Sequence, residues 1–155
     1  GSNNLNSSPA VVSDGTDTFI YATWGNALYK LRDNNTSFVE AWSPPSVLIG
    51  GRSPVNPPAV VYHPSLNRYI IYVGNHRGEL RAIQDNGNTR TPLWTFNTGS
   101  GHRGSPISYA VSGKQYIAVP SGFGGIGTFF LPMAFPELAH ATTGSTLFVF
   151  GLFEE

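Results

Sequence analysis

The segment Pro57-Pro58-Ala59-Val60-Val61 decides the fold, because related segments occur on either side of it. Ser8-Pro9-Ala10-Val11-Val12 precedes it, and Ser105-Pro106-Ile107-Ser108-Tyr109 follows it. The aligned prolines lie 49 and 48 residues apart. Self-similarity at a nearly fixed period of this length indicates a repeat architecture.

Each copy is followed by further short segments in the same order. Second segments rich in β-branched and aromatic residues come next, at 19–22, 70–73 and 116–119. Third segments begin with a glycine, at 25–29, 78–82 and 144–148. The first two units then close on Trp42 and Trp94, each 14 residues after the leucine of the third segment. Such segments, bounded by Gly, Asn, Asp and Pro, predict strands.

Four strands in a unit of about 50 residues are typical of a β-propeller blade. The sequence therefore predicts an all-β chain, 1–155, forming a single partial propeller domain of four-stranded antiparallel meanders. Its units are 3–50, 51–99 and 100–155, and the last is incomplete because its tryptophan strand would fall beyond Glu155. An ordinary antiparallel sandwich with accidental similarity is the alternative.

Composition excludes several function classes. Nine Lys+Arg balance nine Asp+Glu, which argues against a nucleic-acid partner recognised through bulk positive charge. The absence of cysteine excludes a thiol nucleophile and a cysteine-ligated metal. No apolar run approaches the length of a membrane span.

Neither catalytic nor metal-binding residues are predicted from the motifs. The chain has no nucleophile elbow, zinc-binding helix or phosphate-binding loop. Most of its acids, Asp85 included, fall in predicted turns or at the terminus, where solvated surface carboxylates are expected.

One group of basic residues stands out from this background. In a four-stranded meander, the loop after the second strand and the loop before the first strand emerge at the same end. This geometry is expected to gather basic loop residues and one aromatic residue as an anion-binding or cofactor-binding rim: Arg52, His76, Arg77, His102, Arg103 and Trp24. The alternative is that these loops are charged only for solubility.

Five ordered segments of the second half carry a resemblance to a known family: Gly78 to Asp85, Leu93 to Gly101, Gly104 to Tyr109, Gly113 to Val119 and Gly144 to Leu152. Through these segments, residues 75–152 resemble the C-terminal end of the pyrroloquinoline-quinone (PQQ) dependent alcohol dehydrogenases of the methanol-dehydrogenase type. A glycine-rich stretch, Ser121 to Gly125, is similar to the one that follows in the family, but Ile126 stands where the family usually has a tryptophan.

This resemblance implies an eight-bladed propeller, PQQ as the cofactor, and a periplasmic or extracellular location. The family's catalytic aspartate and metal ligands lie in earlier blades, so none is transferred to this chain. PQQ is a planar tricarboxylate, which agrees with a basic loop face. The functions considered are thus a quinoprotein dehydrogenase section and, alternatively, a non-enzymatic propeller module that self-assembles to bind a ligand or protein.

Fewer than three complete blades do not close a ring, so other propeller chains are expected as partners. The chain is interpreted as a fragment of a longer protein or as a protomer, with a homodimer as the favoured assembly. The apolar strand 147–152 is expected at or near the interface, because its outer edge lacks a tryptophan strand. The long segment 123–143 is expected to form an interface or cap, or alternatively a ligand lid.

Overall fold

A computed structural model describes residues 8–49, 56–102, 104–122, 133 and 145–151. The described residues form twelve strands: β1 (Ala10–Ser13), β2 (Thr18–Trp24), β3 (Ala27–Asp33), β4 (Phe38–Glu40), β5 (Ser46–Leu48), β6 (Ala59–His63), β7 (Arg68–Gly74), β8 (Glu79–Asp85), β9 (Arg90–Asn97), β10 (Ile107–Val111), β11 (Lys114–Gly122) and β12 (Ser145–Gly151). No helix in these residues is long and apolar enough to cross a membrane.

The strands form three antiparallel sheets, here called blades. The first has the order β1-β2-β3-β4, the second β6-β7-β8-β9 and the third β10-β11-β12. The predicted all-β class and the antiparallel meanders are therefore confirmed, and three strands of the third meander are described. The unit boundaries themselves stay a prediction.

The outer strand of the first blade is split. Both β4 and β5 pair with β3, at opposite ends of that strand. Trp42 lies between them, outside either strand, and its side chain is buried in the core. The predicted tryptophan strand thus exists as two short pieces, because the chain leaves the sheet to insert the indole ring beneath it.

The blades stack face to face with the second in the middle. Strand β6 contacts both β1 and β10. Since successive side chains of a strand point to opposite faces, Ile71 and Val73 of β7 pack towards the first blade. Ile70 and Tyr72 pack towards the third. The two middle strands of the second blade, β7 and β8, are therefore buried on both faces.

Each interface has its own apolar core. The one between the first and second blades is built around Tyr21, Leu28 and Trp42, whose side chains are at most 4% exposed. Between the second and third blades, Trp94 packs on Phe150 with ring centroids 5.6 Å apart. Burial of such aromatic and aliphatic surface is the main term that holds one blade on the next.

The outward faces of the two terminal blades are apolar and open to solvent. On the first blade they include Val11 and Phe38, and on the third Ile107 and Val149. Strand pairing places Ile107 and Val149 on the same face, since both lie opposite Ala118 in the register. Each open face has the chemistry of the faces that are buried inside the stack.

The structure corrects the expected place of Asp85, which is buried rather than solvated. The side chain is 4% exposed and lies 2.6 Å from the Lys30 ammonium of the first blade. Its carboxylate also accepts hydrogen bonds from the Tyr21 hydroxyl, the Trp42 indole and the Gly87 amide. Asp85 therefore ties the first blade to the second.

Candidate functional site

The predicted site lies at the end of the blades that carries the β2–β3 turn, the β7–β8 turn and the β9–β10 connection, here called the loop face. At its centre, the buried side chain of Asn75 shapes the β7–β8 turn. Its Oδ1 atom accepts the amides of Arg77 and Glu79, at 2.9 and 3.1 Å. Its Nδ2 group donates to the Ile49 carbonyl and to the Glu79 carboxylate, at 2.9 and 2.8 Å. The turn is consequently held in one conformation.

The β9–β10 connection packs directly against this turn. The Thr98 amide donates to the Gly78 carbonyl at 2.8 Å, and the His102 amide donates to the Asn75 carbonyl at 3.1 Å. A Cβ atom added to Gly101 would lie 2.6 Å from the His76 carbonyl oxygen, which shows how close the two backbones are. The structure therefore brings His76, Arg77 and His102 into one region of the loop face.

His102 lies beneath this region and is fully buried, so the structure places it behind the expected rim and not on its surface. Its Nε2 atom is 2.8 Å from the Thr98 hydroxyl, and its Nδ1 atom has no hydrogen-bond partner in the described part of the chain. We assign the proton to Nε2, because the Thr98 hydroxyl donates to the Ser100 carbonyl at 2.9 Å and its oxygen therefore accepts from the imidazole. Burial, and then the nearby His76, lowers the pKa of His102.

Acid is expected to destabilise the protein through His102. Its folded-state pKa lies below the ordinary value near 6.5, so the unfolded chain binds the proton more tightly. The free energy of unfolding should therefore decrease as the pH falls below about 6.5 and should be insensitive to this group at higher pH. Urea unfolding at successive pH values measures this, and His102→Gln should flatten the dependence below about pH 6.5. An unchanged pH profile in that variant would contradict the burial of a neutral imidazole.

The exposed part of the site is not uniformly basic. Arg77 and His76 are exposed on the turn, but the Glu79 carboxylate is close to Arg77 and bonds Arg81 at 3.2 Å. The hydrogen bond from Asn75, followed by that from Arg81, lowers the pKa of Glu79, so it carries a negative charge at neutral pH. This charge offsets part of the positive potential that Arg77 supplies.

The aromatic residue predicted at the rim does not join this region. Trp24 is 47% exposed and lies on the outward face of the first blade with Ile20 and Leu31. Arg52 and Arg103 lie outside the described residues, as does the segment 123–143 apart from Met133. Among the described residues, the rim therefore consists of His76 and Arg77, with His102 buried beneath them.

Several polar residues of the site are not predicted by its motifs. Asn56 is 7% exposed and donates to the carbonyls of His102 and Gly104, both at 2.9 Å. The Ser121 hydroxyl donates to Thr98 at 2.8 Å. Only Asn75 carries a sequence signal, because asparagine followed three residues later by glycine is typical of a turn. Asn56 and Ser121 instead bond to residues that are distant in sequence, and no local sequence pattern predicts such contacts.

The described chain groups no three histidine or acidic residues that could hold a metal ion. A positioned guanidinium at a rigid turn can bind a carboxylate or another anion. The neutral, buried imidazole below it supports the turn and contacts no solvent. This arrangement has the chemistry of one edge of an anion-binding site.

Comparisons with known proteins give a consistent set of relatives. Quinoprotein alcohol dehydrogenase PedH of Pseudomonas putida is 41% identical over 56 residues, 36% of this chain and 9% of that protein. The 1-butanol dehydrogenase (quinone) of Thauera butanivorans is 28% identical over 137 residues, 85% of this chain and 21% of that protein. A quinoprotein ethanol dehydrogenase of Pseudomonas putida is 39% identical over 56 residues, 36% of this chain and 9% of that protein.

No protein-family model matches the chain. The names of these relatives nevertheless all describe quinoprotein or quinone-dependent alcohol dehydrogenases. The similarity to the 1-butanol dehydrogenase reaches into all three blades, because it covers 85% of the chain. The expected resemblance is therefore confirmed: the proteins that this chain is similar to are quinoprotein alcohol dehydrogenases, of which it spans 9% to 21% of the length.

Proposed function

We propose that this chain supplies three blades to the propeller of a PQQ-dependent alcohol dehydrogenase, with its loop face towards the cofactor. The similarity to a 1-butanol dehydrogenase over 85% of the chain carries this proposal, because a match of that length reaches into the first blade as well as the second half. The resemblance also favours a periplasmic or extracellular location. Oxidation of an alcohol would need the blades that hold the family's metal ligands and catalytic aspartate.

The described residues fit one edge of a PQQ site and not a complete one. Arg77 is exposed on a turn that Asn75 holds in place, so it suits one of the three carboxylates. The exposed His76 adds a second polar group beside it. Glu79 would repel a further carboxylate, and Trp24 lies on another face, where it provides no stacking surface for the planar ring system.

The role proposed for this chain is therefore to bind PQQ at one edge and to orient it. Bound PQQ supplies the redox chemistry of the family's reaction. Arg77 would hold a carboxylate at the edge of the cofactor, and the Asn75 hydrogen bonds would keep the guanidinium's turn from moving. His102 stays neutral below the turn and adds no charge to the site.

Arg77→Gln is expected to weaken PQQ binding about fivefold, because a charge-assisted contact to one carboxylate is replaced by a neutral one. Fluorescence titration of the chain with PQQ in the presence of Ca²⁺ measures this, and adding Arg103→Gln should weaken binding further. Arg68→Gln is the matched control, since Arg68 is exposed at the opposite end of the same blade. Equal effects of Arg77→Gln and Arg68→Gln, or no saturable binding by the unchanged chain, would contradict the proposed site.

A second candidate is a non-enzymatic propeller module that assembles with copies of itself. The observation that favours it is the pair of open apolar faces on the first and third blades. Two copies related by rotation would place the first blade of one on the third blade of the other, and six blades lie within the range of closed propellers. Strand β12 would lie at that joint, with Leu147 and Val149 covered by the other copy.

A further inference from the structure

A cleft of about 750 Å³ opens between the first and second blades at the end opposite the loop face. Three turns surround it: the β1–β2 turn with Asp14, the β6–β7 turn that ends at Asn67, and the β8–β9 turn that begins with Asn86. Its volume lies within the range of natural ligand sites. No part of the proposed PQQ edge contributes to it.

The floor of the cleft contains one positive and one negative group, Lys30 and Asp85, which neutralise each other. Lys30 is only 3% exposed, and its ammonium contacts the Asp85 carboxylate at 2.6 Å and the Gly87 carbonyl at 3.0 Å. Its remaining side lies 4.0 Å from the centre of the Phe19 ring. Because these partners satisfy the ammonium group, the floor presents little net charge to a ligand.

Aromatic rings form one wall. The rings of Tyr62 and Tyr69 meet edge to face with centroids 5.4 Å apart, and Tyr62 is 46% exposed. The Tyr62 hydroxyl donates to Asn67 at 2.6 Å, which fixes the ring at the mouth of the cleft. An apolar surface held in this way can stack on the flat C–H face of a ligand.

Polar groups with spare hydrogen-bonding capacity line the mouth. The Asp14 Oδ1 atom accepts the amides of Thr16 and Asp17, at 2.9 and 2.8 Å, whereas Oδ2 has no bond within the described residues. Arg68 uses one guanidinium nitrogen for the Asn67 carbonyl, and its other N–H groups bond nothing else in that part of the chain.

From this combination we propose that the cleft binds a neutral polyhydroxylated ligand, namely a hexose or short oligosaccharide. The C–H face of a pyranose ring would stack on Tyr62, and neighbouring hydroxyls would donate to Asp14 and accept from Arg68. The opposite charges of these two residues leave the mouth without net charge, so a neutral ligand is favoured over a charged one.

Titration calorimetry and saturation-transfer NMR with glucose, maltose and gluconate test the proposal. Maltose should bind more tightly than glucose because it covers more of the wall. Gluconate should bind more weakly because this open-chain acid has no pyranose face to stack on Tyr62. Asp14→Asn should weaken maltose binding about tenfold, since an ionised acceptor is lost while the turn retains its Oδ1 acceptor. Tyr62→Ala should weaken it about fivefold.

Asp17→Asn in the same turn and Tyr109→Ala on the third blade are matched controls that should leave maltose affinity unchanged. Thermal unfolding of each variant verifies that the fold is retained, which is expected because Asp14 and Tyr62 are exposed. The absence of saturable maltose binding by the unchanged chain, preference for gluconate, or equal affinity in all four variants would overturn the proposal.

Discussion

Asp85→Ala is expected to lower the free energy of unfolding by about 3–5 kcal/mol, because it leaves the buried Lys30 ammonium without its counter-charge. The same change deprives the Trp42 indole and the Gly87 amide of their acceptor. It also removes the partner of the Tyr21 hydroxyl, whose pKa is raised far above its usual range by burial and then by Asp85. Urea unfolding at neutral pH measures the loss.

Two further variants identify the origin of this effect. Asp17→Ala removes a carboxylate that makes no side-chain hydrogen bond in the described structure, and it should change the stability by less than about 0.5 kcal/mol. Combining Asp85→Ala with Lys30→Met should recover part of the loss, since no buried charge then remains unpaired. A loss from Asp85→Ala no larger than that from Asp17→Ala would show that Asp85 does not join the two blades.

Gly78→Ala is expected to destabilise the protein by about 3 kcal/mol, for two separate reasons. Gly78 has a φ of +84°, a conformation that alanine adopts only at a cost of about 1–2 kcal/mol. In addition, the new Cβ atom would lie 2.6 Å from the Ser100 carbonyl oxygen, so the β9–β10 connection would have to move. Denaturant unfolding measures the total decrease in the free energy of unfolding.

Gly87→Ala distinguishes the backbone conformational cost from the cost of the steric clash. Gly87 has a φ of +89°, close to that of Gly78, but a Cβ atom there would meet nothing within 4 Å. It should therefore show only the backbone cost of about 1–2 kcal/mol. Equal effects of the two substitutions would mean that the loop-face turns are not packed as closely as the structure places them.

Much of the architecture could be predicted from the repeat. The recurrence of the Pro57–Val61 pattern and of the strands after it predicts four-stranded antiparallel units, since alternation and turn chemistry are local properties of the chain. The position of Trp42 shows the limit of this reasoning. Its spacing predicts a place in the outer strand. In the structure, Trp42 lies outside the strand, and its indole is buried between the blades, where it donates to Asp85.

Asp85 and His102 are both buried where the sequence predicts exposure, and the physical reason is the same for both. Asp85 lies at a strand end in a typical turn sequence, and only the approach of Lys30 and Tyr21 from another blade makes burial of its charge favourable. The position of His102 in a loop predicts a place at the rim, but Gly74, which has no side chain, leaves room for the imidazole ring inside. Packing between units that are distant in sequence determines both positions, and a periodic pattern carries no information on it.

Trp24 illustrates the same limit at the candidate site. The meander topology predicts correctly that the β2–β3 turn emerges at the loop face. It does not determine which side of the blade the indole covers, and Trp24 shares its face with Ile20 and Ala22, away from the second blade. The described cluster therefore retains the Arg77 turn without the aromatic surface expected beside it.

Both proposed functions require that the outward faces of the first and third blades are covered by other blades. Light scattering of the purified chain over a dilution series tests this requirement most directly. Val149 is 49% exposed and Ile107 is 59% exposed on a single apolar face, so we expect an assembly of at least two chains that dissociates only at low concentration. A soluble monomer at every concentration would contradict it.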